Sequence, residues 1–319
     1  MSFSTPILLL IFNRPELTEK VFVEIKKQRP QYLYIAADGP RINKENEVEK
    51  CRATRQVVLD NIDWTCQVKT LFRDENIGCG KAVSEAITWF FDNVEQGIIL
   101  EDDCLPSSSF FSFCEELLNK YHDNSQVMHI GGSNFQDKNV AGENSYYFSN
   151  YIHIWGWATW RRAWQKYEFN LQGNDPQLAY MLKYKFSNGI ERHFWQHSFE
   201  TMANHLIDTW DTQWVHCFFK HNGIGITTAQ NLISNIGCGP DATHTIHFNP
   251  IISELPVTEI EIITHPKKIT INKRADRTSY RKLYQFDNTK FNRIKFRIGK
   301  MLPFIKSAYL SLKAVNKKL

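Results

Sequence analysis

The segment Gly97-Ile98-Ile99-Leu100-Glu101-Asp102-Asp103 predicts more about the fold of this chain than any other. Three apolar residues lead directly into three carboxylates, with no polar transition between them. A short apolar run of this kind predicts a buried strand of a parallel sheet. Acidic side chains would not be tolerated inside that sheet, so we expect them at its carboxyl edge, where open α/β sheets bind their ligands.

The acidic triplet at residues 101–103 also predicts a bound cation. Three adjacent carboxylates repel one another unless a positive charge lies among them. Oxygen ligands without His or Cys suit Mg²⁺ or Mn²⁺, and these ions take further ligands from water and from phosphate groups. The alternative is a solvated acidic turn, which would be favoured for an isolated triplet. Because this triplet directly follows a buried strand, we favour a site for a divalent cation and a diphosphate.

Strand and helix patterns alternate on the way to this triplet. The predicted strands are Pro6–Phe12, Tyr32–Ala37, Gln67–Phe72 and Gly97–Leu100, and the predicted helices are Pro15–Gln28, Lys44–Asn61 and a third that ends at Phe91. Such alternation predicts βαβ units in a doubly wound, mostly parallel sheet. Beyond the triplet we expect helices at 110–121, 161–167 and 190–206, a helix that begins near Asp211, and strands at 127–130 and 224–228. The predicted class is therefore α/β, with a Rossmann-like half at 1–104 and a second half at 105–265.

The composition is that of a globular protein. The chain has 319 residues, of which 13% are aromatic and 23% charged, enough for one large domain with an appendage. It contains no run of about 20 apolar residues, as a membrane span requires, and its start lacks the basic leader of a signal peptide. The seven cysteines include no CxxC pair, which argues against a zinc site and a disulfide framework and favours a cytoplasmic location.

The net charge of +4 conceals two oppositely charged parts. From Lys267 onward there are 16 Lys and Arg against two acidic residues, whereas the preceding part has 22 basic and 32 acidic residues. We call residues 266–319 the basic tail. Its apolar residues recur at helical spacing, with Pro303 dividing the pattern: Phe291, Ile294, Ile298, Met301, Leu302, Ile305, Tyr309 and Leu312. This pattern predicts a basic amphipathic helix on an anionic membrane surface.

The alternative for the basic tail is a helix that docks on the acidic main domain of the same chain. Nucleic acid is not an expected partner, because the acidic main domain would repel phosphate. Membrane binding by the tail predicts a cytoplasmic protein held peripherally at the inner face of the cytoplasmic membrane.

Polar residues follow the first two predicted strands at the same sheet edge as the triplet. Arg14 could bind a diphosphate through its planar guanidinium, although an Asn-Arg-Pro turn could equally begin a helix. Asp38 could accept from a base N–H or a ribose hydroxyl, although Asp-Gly-Pro is also an ordinary turn. The segment 78–81 misses the P-loop spacing, and the chain has no GxGxxG, which argues against a dinucleotide cofactor.

The second distinctive carboxylate is Asp211, between Trp210 and Trp214. An Asp at the start of a helix is most simply a cap, but flanking indole rings favour a functional role because aromatic faces pack against the apolar faces of sugars. The aromatic run 155–160 is predicted either as core or as a wall that faces a sugar. His244, in a polar segment, could contact phosphate or metal, although an isolated loop histidine is more often neither.

Together these residues resemble a known family. Arg14 after the first strand, Asp38 after the second, the triplet after the fourth and Trp210-Asp211 before a helix resemble the nucleotide-sugar glycosyltransferases of the GT-A fold. The pattern is similar to inverting N-acetylglucosaminyltransferases that act on mannose-linked glycans and to their bacterial relatives, over roughly residues 5–250. The spacing of Trp210 and Trp214 is one residue longer than the Trp-Asp-Asp-Trp pattern of the eukaryotic relatives, and the basic tail has no counterpart there.

The resemblance implies a role for each residue. Asp103 would hold Mn²⁺ or Mg²⁺, and Asp211 would be the catalytic base. The implied nucleotide-sugar contacts are Arg14 to the diphosphate, Asp38 to uracil, Glu101 and Asp102 to sugar or ribose hydroxyls, and Trp210 beside the sugar. Residues 1–104 would then be the nucleotide-binding half and residues 105–265 the acceptor half.

The expected function is that of a metal-dependent inverting glycosyltransferase. Its donor would be a UDP-sugar such as UDP-N-acetylglucosamine, and its acceptor a hydroxyl of a glycan or lipid-linked saccharide in bacterial surface polysaccharide synthesis. One alternative is a sugar-phosphate nucleotidyltransferase, which normally has a Gly-rich loop after the first strand, whereas residues 12–15 contain no glycine. A second is a non-catalytic carbohydrate-binding protein, which would explain the aromatic residues but not the acidic triplet.

Overall fold

A computed structural model describes residues 3–172, 175–204, 207–238 and 252–284. The first half comprises β1 (Ile7–Ile11), α1 (Pro15–Gln28), β2 (Tyr32–Ala37), α2 (Glu47–Asp60), β3 (Gln67–Phe72), α3 (Cys79–Asn93) and β4 (Gln96–Glu101). The next elements are β5 (Cys104–Pro106), α4 (Ser108–Lys120), β6 (Val127–Gly131), β7 (Tyr146–Ser149), β8 (Trp157–Trp160), α5 (Arg161–Trp164), α6 (Pro176–Lys185), α7 (Gly189–Ala203), α8 (Asp211–Lys220), β9 (Ile224–Thr228) and β10 (Ile233–Asn235). Helix α9 (Lys273–Ser279) and a π-helix (Tyr280–Tyr284) follow.

The main sheet has eight strands in the order β3-β2-β1-β4-β8-β6-β9-β7. Strands β3, β2, β1 and β4 are parallel neighbours, and β6 pairs in parallel with β9. Strand β8 is antiparallel to both β4 and β6, and β7 is antiparallel to β9. Six of the eight strands therefore run in one direction, and the predicted α/β class with a doubly wound, mostly parallel sheet is confirmed.

The central strands are apolar because both faces of the sheet are covered. All five residues of β1 are buried, and Val21, Phe22 and Ile25 of α1 belong to the same hydrophobic core. On β4, a side chain at Gly97 would place its Cβ 2.3 Å from Cζ of Phe90 in α3, so only glycine lets this helix pack so closely. Continuous apolar runs of this kind are typical of strands in parallel sheets.

The aromatic run divides between core and cleft. Trp157 and Trp160, in β8, are no more than 1% exposed and therefore belong to the core, whereas Trp155 is half-buried. The ring of Trp157 stacks on His129 at 5.0 Å and on Trp210 at 5.7 Å. The alternative of a sugar-facing wall is therefore wrong for Trp157 and Trp160.

A small second sheet lies beside the acidic triplet. Strand β10 pairs antiparallel with β5, and Asn235 lies opposite Cys104. The amide of Ile236 then donates to the carbonyl oxygen of Asp103 at 2.9 Å. This pairing brings a segment from the distant second half of the chain next to the triplet.

The chain forms two compact units, Met1–Asp276 and Arg277–Leu319. The predicted boundaries at residues 104 and 265 stay predictions. Residues 285–319 of the basic tail and His244 lie outside the described residues. Within the described ranges, no helix is both long and apolar enough to cross a membrane.

Candidate functional site

Asp102 connects the carboxyl ends of β1 and β4. Its Oδ2 accepts from the amide of Phe12 at 3.2 Å, and its Oδ1 accepts from Nη2 of Arg14. The same Nη2 lies 3.0 Å from Oδ2 of Asp103. Burial would lower the pKa of Arg14, but the charges of Asp102 and Asp103 raise it, so the guanidinium stays charged.

Asp102 also lines the first cavity, and its predicted contact with sugar or ribose hydroxyls stays a prediction. The residue is 3% exposed, and both carboxylate oxygens are engaged by the chain itself. Its role is to hold Arg14 and the two strand ends together.

Glu101 and Asp103 lie on either side of this buried aspartate and line the cleft. Glu101 Oε1 is buried and has no hydrogen-bond partner among the described residues. Burial, and then the charges of Asp103 and Asp102, raise the pKa of Glu101 to about 8. A Cβ at position 237 would lie 2.1 Å from Oδ2 of Asp103, so Gly237 provides the space that this carboxylate occupies.

The first cavity of the cleft, about 190 Å³, lies between the ends of β1 and β2 and helix α3. Apolar side chains line it together with polar ones that include Asp38, Arg41, Arg73 and Asn76. The Asp38 carboxylate accepts from the amides of Gly39 at 2.9 Å and Ile77 at 3.2 Å, and burial raises its pKa. Asp38 thus lines the first cavity, and its contact with uracil stays a prediction.

A second cavity, of about 380 Å³, continues from the first. Arg14, Cys79 and Glu101 line both cavities. Asp103 and Asp211 line the second cavity and not the first. The cleft therefore has a smaller part and a larger part, and the larger part contains the predicted base.

Asp211 is the first residue of α8 and not its cap, which is Trp210. Oδ1 of Asp211 accepts from the hydroxyl of Thr209 at 2.6 Å and from the amide of Thr212 at 2.7 Å. No described residue donates to its Oδ2. One oxygen therefore fixes the orientation of the carboxylate and the other stays free to accept a proton.

Trp210 lines the second cavity, and its place beside a sugar stays a prediction. The residue is only 2% exposed, and its ring stacks on Trp157. Its carbonyl oxygen accepts from the hydroxyl of Tyr167 at 3.1 Å. Trp210 packs beneath the segment that carries Asp211.

Asp208, which the sequence offers only as the next candidate base after Asp211, lines the first cavity and makes a contact that the sequence does not predict. Its carboxylate accepts from the amides of Cys79 and Gly80, both at 2.9 Å, at the start of α3. These partners lie far earlier in the chain, so local pattern could not reveal the contact. The available signal was Gly78 and Gly80, since paired glycines at a helix start indicate close approach of another backbone.

The residues present fit a divalent cation of the Mg²⁺ or Mn²⁺ type. The unpartnered Oε1 of Glu101 and the carboxylate of Asp103 are the hard oxygen donors that such ions bind. The described part of the chain holds no cluster of three or more His, Cys, Asp or Glu suited to a metal. A cation would therefore take its other ligands from a diphosphate and water, as Mg²⁺ usually does.

Comparison with protein-family models and with curated protein sequences finds no match. Among solved structures, one similar to this chain is the mannosyltransferase PcManGT from Pyrobaculum calidifontis in complex with GDP-Man and Mn²⁺, at 10% identity and a TM-score of 0.39, covering 67% of this chain and 70% of that one. Others are a cytidylyltransferase from Leptospira borgpetersenii (12% identity, TM-score 0.33, 52% and 63% covered) and HddC from Yersinia pseudotuberculosis (10%, 0.31, 50% and 77%).

The two neighbours named by activity are a glycosyltransferase and a nucleotidyltransferase. TM-scores below 0.5 do not establish a shared function. We therefore base the functional proposal on the geometry of the cleft.

Arg14 should be needed for stability as well as for ligands. Replacing it in Arg14→Met leaves Asp102 buried and unpaired, which typically costs about 3–5 kcal/mol. Asp102→Asn in the same chain should recover part of this loss, because it removes the buried charge. Urea unfolding of the single and double variants measures both effects.

A matched control is Arg52→Met, which removes an exposed ion pair with Glu49 of 2.7 Å. Exposed pairs contribute little, so this variant should unfold close to wild type. An Arg14→Met protein as stable as the control would contradict the structural role of the pair.

Proposed function

We propose that this chain is a metal-dependent inverting glycosyltransferase that uses a nucleotide-diphosphate sugar. One observation carries the proposal. Arg14, Glu101 and Asp103 form a wall of mixed charge, and this wall shares a cavity with the Asp211 carboxylate, of which Oδ1 accepts hydrogen bonds from the chain and Oδ2 accepts none from the described residues. This wall suits a diphosphate with its cation, and Asp211 suits an acceptor hydroxyl. A non-catalytic carbohydrate-binding protein would need neither an arginine beside carboxylates at the sheet edge nor a carboxylate oriented to accept a proton.

The chemistry follows from these positions. Oδ2 of Asp211 takes the proton of an acceptor hydroxyl while that oxygen attacks the anomeric carbon from the side opposite the diphosphate. The bond between the anomeric carbon and the diphosphate oxygen breaks, and the nucleoside diphosphate leaves with the electron pair. Arg14 donates to the diphosphate oxygens. A bound cation would supply Lewis-acid neutralisation of the leaving group.

We further propose a UDP-sugar donor, with UDP-N-acetylglucosamine as one candidate. The first cavity is narrow and its walls are largely apolar, which suits a pyrimidine ring, and Asp38 lies among its polar lining residues. The proposed acceptor is a hydroxyl of a glycan or lipid-linked saccharide of a bacterial surface polysaccharide, as the resemblance to GT-A enzymes implies.

Incubation with a panel of nucleotide sugars and Mn²⁺ tests the reaction class. Slow release of UDP without acceptor supports the proposal, and release of GDP would support a transferase with a different donor. Formation or consumption of pyrophosphate would instead indicate a nucleotidyltransferase. Glycan binding without turnover would indicate a carbohydrate-binding protein.

Donor binding should require the metal and Asp103 together. In calorimetry, UDP should bind at least about tenfold more weakly in EDTA than in Mn²⁺, a loss of at least about 1.4 kcal/mol. Asp103→Asn should bind as weakly with Mn²⁺ as without it, whereas Asp123→Asn, at a side chain 99% exposed, should behave as wild type. Unchanged UDP affinity in EDTA would contradict the metal assignment.

Loss of Asp211 should damage chemistry far more than binding. Asp211→Asn keeps the shape of the side chain and can still accept from Thr209, but it cannot take a proton. We expect a folded variant with normal UDP affinity whose transfer rate falls by about 10²–10⁴. Single-turnover kinetics with calorimetry separates the two effects. Near-native turnover in Asp211→Asn would rule out its role as the base.

The basic tail is proposed to hold the enzyme at the inner face of the cytoplasmic membrane. The support is its 16 basic residues and its apolar residues at helical spacing. Full-length protein should sediment with anionic vesicles but not with neutral ones, and removal of residues 285–319 should abolish sedimentation. Equal sedimentation of both forms would contradict the proposal.

A further inference from the structure

Asp208 joins the two walls of the cleft through a pair of hydrogen bonds. Its Oδ2 accepts from the amide of Cys79 and its Oδ1 from the amide of Gly80, each at 2.9 Å. These are the first two amides of α3, which have no partner within the helix. A carboxylate there is also stabilised by the positive end of the helix dipole. We call this contact the Asp208 clamp.

The backbone around the clamp leaves no room for side chains. Gly78 has φ +89°, a conformation that favours glycine. A Cβ on Gly80 would lie 2.7 Å from both Oδ1 of Asp208 and the carbonyl oxygen of Thr209. Asp208 and Thr209 therefore lie directly on the start of α3, and their distance from that helix is fixed by contact as well as by hydrogen bonds.

A short chain of hydrogen bonds leads from the clamp to the proposed base. The hydroxyl of Thr209 donates to Oδ1 of Asp211 at 2.6 Å. The Nε2 of Gln213 donates to the carbonyl oxygen of Thr209 at 2.7 Å. The residue next to Asp208 is thus tied at both its side chain and its carbonyl to the first turn of α8.

The clamp also lies at the junction of the two cavities. Asp208 lines the first, Thr209 and Asp211 line the second, and Cys79 lines both. A shift of the segment away from α3 would therefore change the separation between Asp211 and the Arg14–Asp103 side of the cleft.

From this geometry we infer that Asp208 is a positioning residue that sets the distance between the base Asp211 and the donor-binding wall. The inference rests on the proposed function. It assigns Asp208 no contact with either substrate. Because its carboxylate occupies the α3 amides, it also keeps that helix start from binding the phosphates of the donor.

The test compares Asp208→Ala and Asp208→Asn with a matched control. Asp175 makes the same kind of contact at another helix, accepting from the amides of Gln177 at 2.9 Å and Leu178 at 3.2 Å at the start of α6, and it lines neither cavity. Asp175→Ala thus removes a helix-start contact, and with it an ion pair of 3.0 Å to Lys220 at the far end of α8, without touching the cleft.

We expect Asp208→Ala to lower kcat by about 10–10²-fold, because small displacements of reacting groups cost rates of this size. The affinity for UDP with Mn²⁺, measured by calorimetry, should fall by a smaller factor than kcat, because the proposed diphosphate contact is Arg14 and the Asp208 carboxylate is taken up by the α3 amides. Asp208→Asn should lie between Asp208→Ala and wild type, because its amide oxygen can still accept one of the two bonds. Asp175→Ala should retain wild-type kcat.

Hydrogen exchange gives a readout that does not depend on activity. Amides at the start of α3 and in residues 207–212 should exchange faster in Asp208→Ala than in the wild-type protein. In Asp175→Ala the exchange of the same amides should be unchanged. Faster exchange with wild-type kcat would overturn the positioning role, as would an equal loss of kcat in Asp175→Ala. A wild-type protein that neither binds UDP nor transfers sugar would overturn the proposed function and this role with it.

Discussion

The buried ion pair between the guanidinium of Arg14 and the carboxylate of Asp102 organises the cleft and the strands beneath it. Three consecutive carboxylates at the end of a buried strand repel one another, and a positive charge within hydrogen-bond distance offsets that repulsion. Because Asp102 turns inward to Arg14 and to the amide of Phe12, it fastens the ends of β1 and β4 together. Its neighbours Glu101 and Asp103 both line the cleft as a consequence. The same pairing therefore joins the two strand ends and leaves Glu101 and Asp103 as the carboxylates proposed to bind a cation.

The opposite wall of the cleft is built on packing. Antiparallel strand β8 extends the parallel sheet and places Trp157 between His129 and Trp210. This aromatic core supports the first turn of α8, where the orientation of Asp211 is fixed through Oδ1 alone. Aromatic packing and hydrogen bonds thus have separate roles. The packing holds helix α8 in place, and the hydrogen bonds to Oδ1 orient the carboxylate of Asp211. A proton acceptor needs both, because a mobile carboxylate loses the advantage of proximity.

Local sequence pattern was enough to predict the class of the fold and the sheet edge at which the site lies. Strands β2 and β3 have their predicted bounds, and β4 differs only by including Gln96 and Glu101. These features are local: apolar runs mark buried strands, and side chains that follow such strands must emerge at the carboxyl edge of a parallel sheet. The acidic triplet, Arg14 and Asp38 could therefore be assigned to one edge from the sequence alone. Asp211 could be selected as a carboxylate at a helix start, since that position is marked by the residues around it.

The contacts of these side chains, in contrast, follow from the tertiary structure. The alternation of strands and helices along the chain does not predict that Asp102 turns inward to Arg14, 88 positions away. That pairing forms only when β1 and β4 lie side by side in the sheet. The indole of Trp210 suits a sugar or a core equally well, and its burial against Trp157 follows from the antiparallel insertion of β8. Gly78 and Gly80 indicate that another segment approaches the start of α3, but no local pattern identifies that segment as Asp208, 128 and 129 positions away from its amide partners. Short-range periodicity indicates which side chains lie at the sheet edge. Hydrogen bonds between distant segments depend on how those segments pack against each other, and that packing exists only in the folded chain.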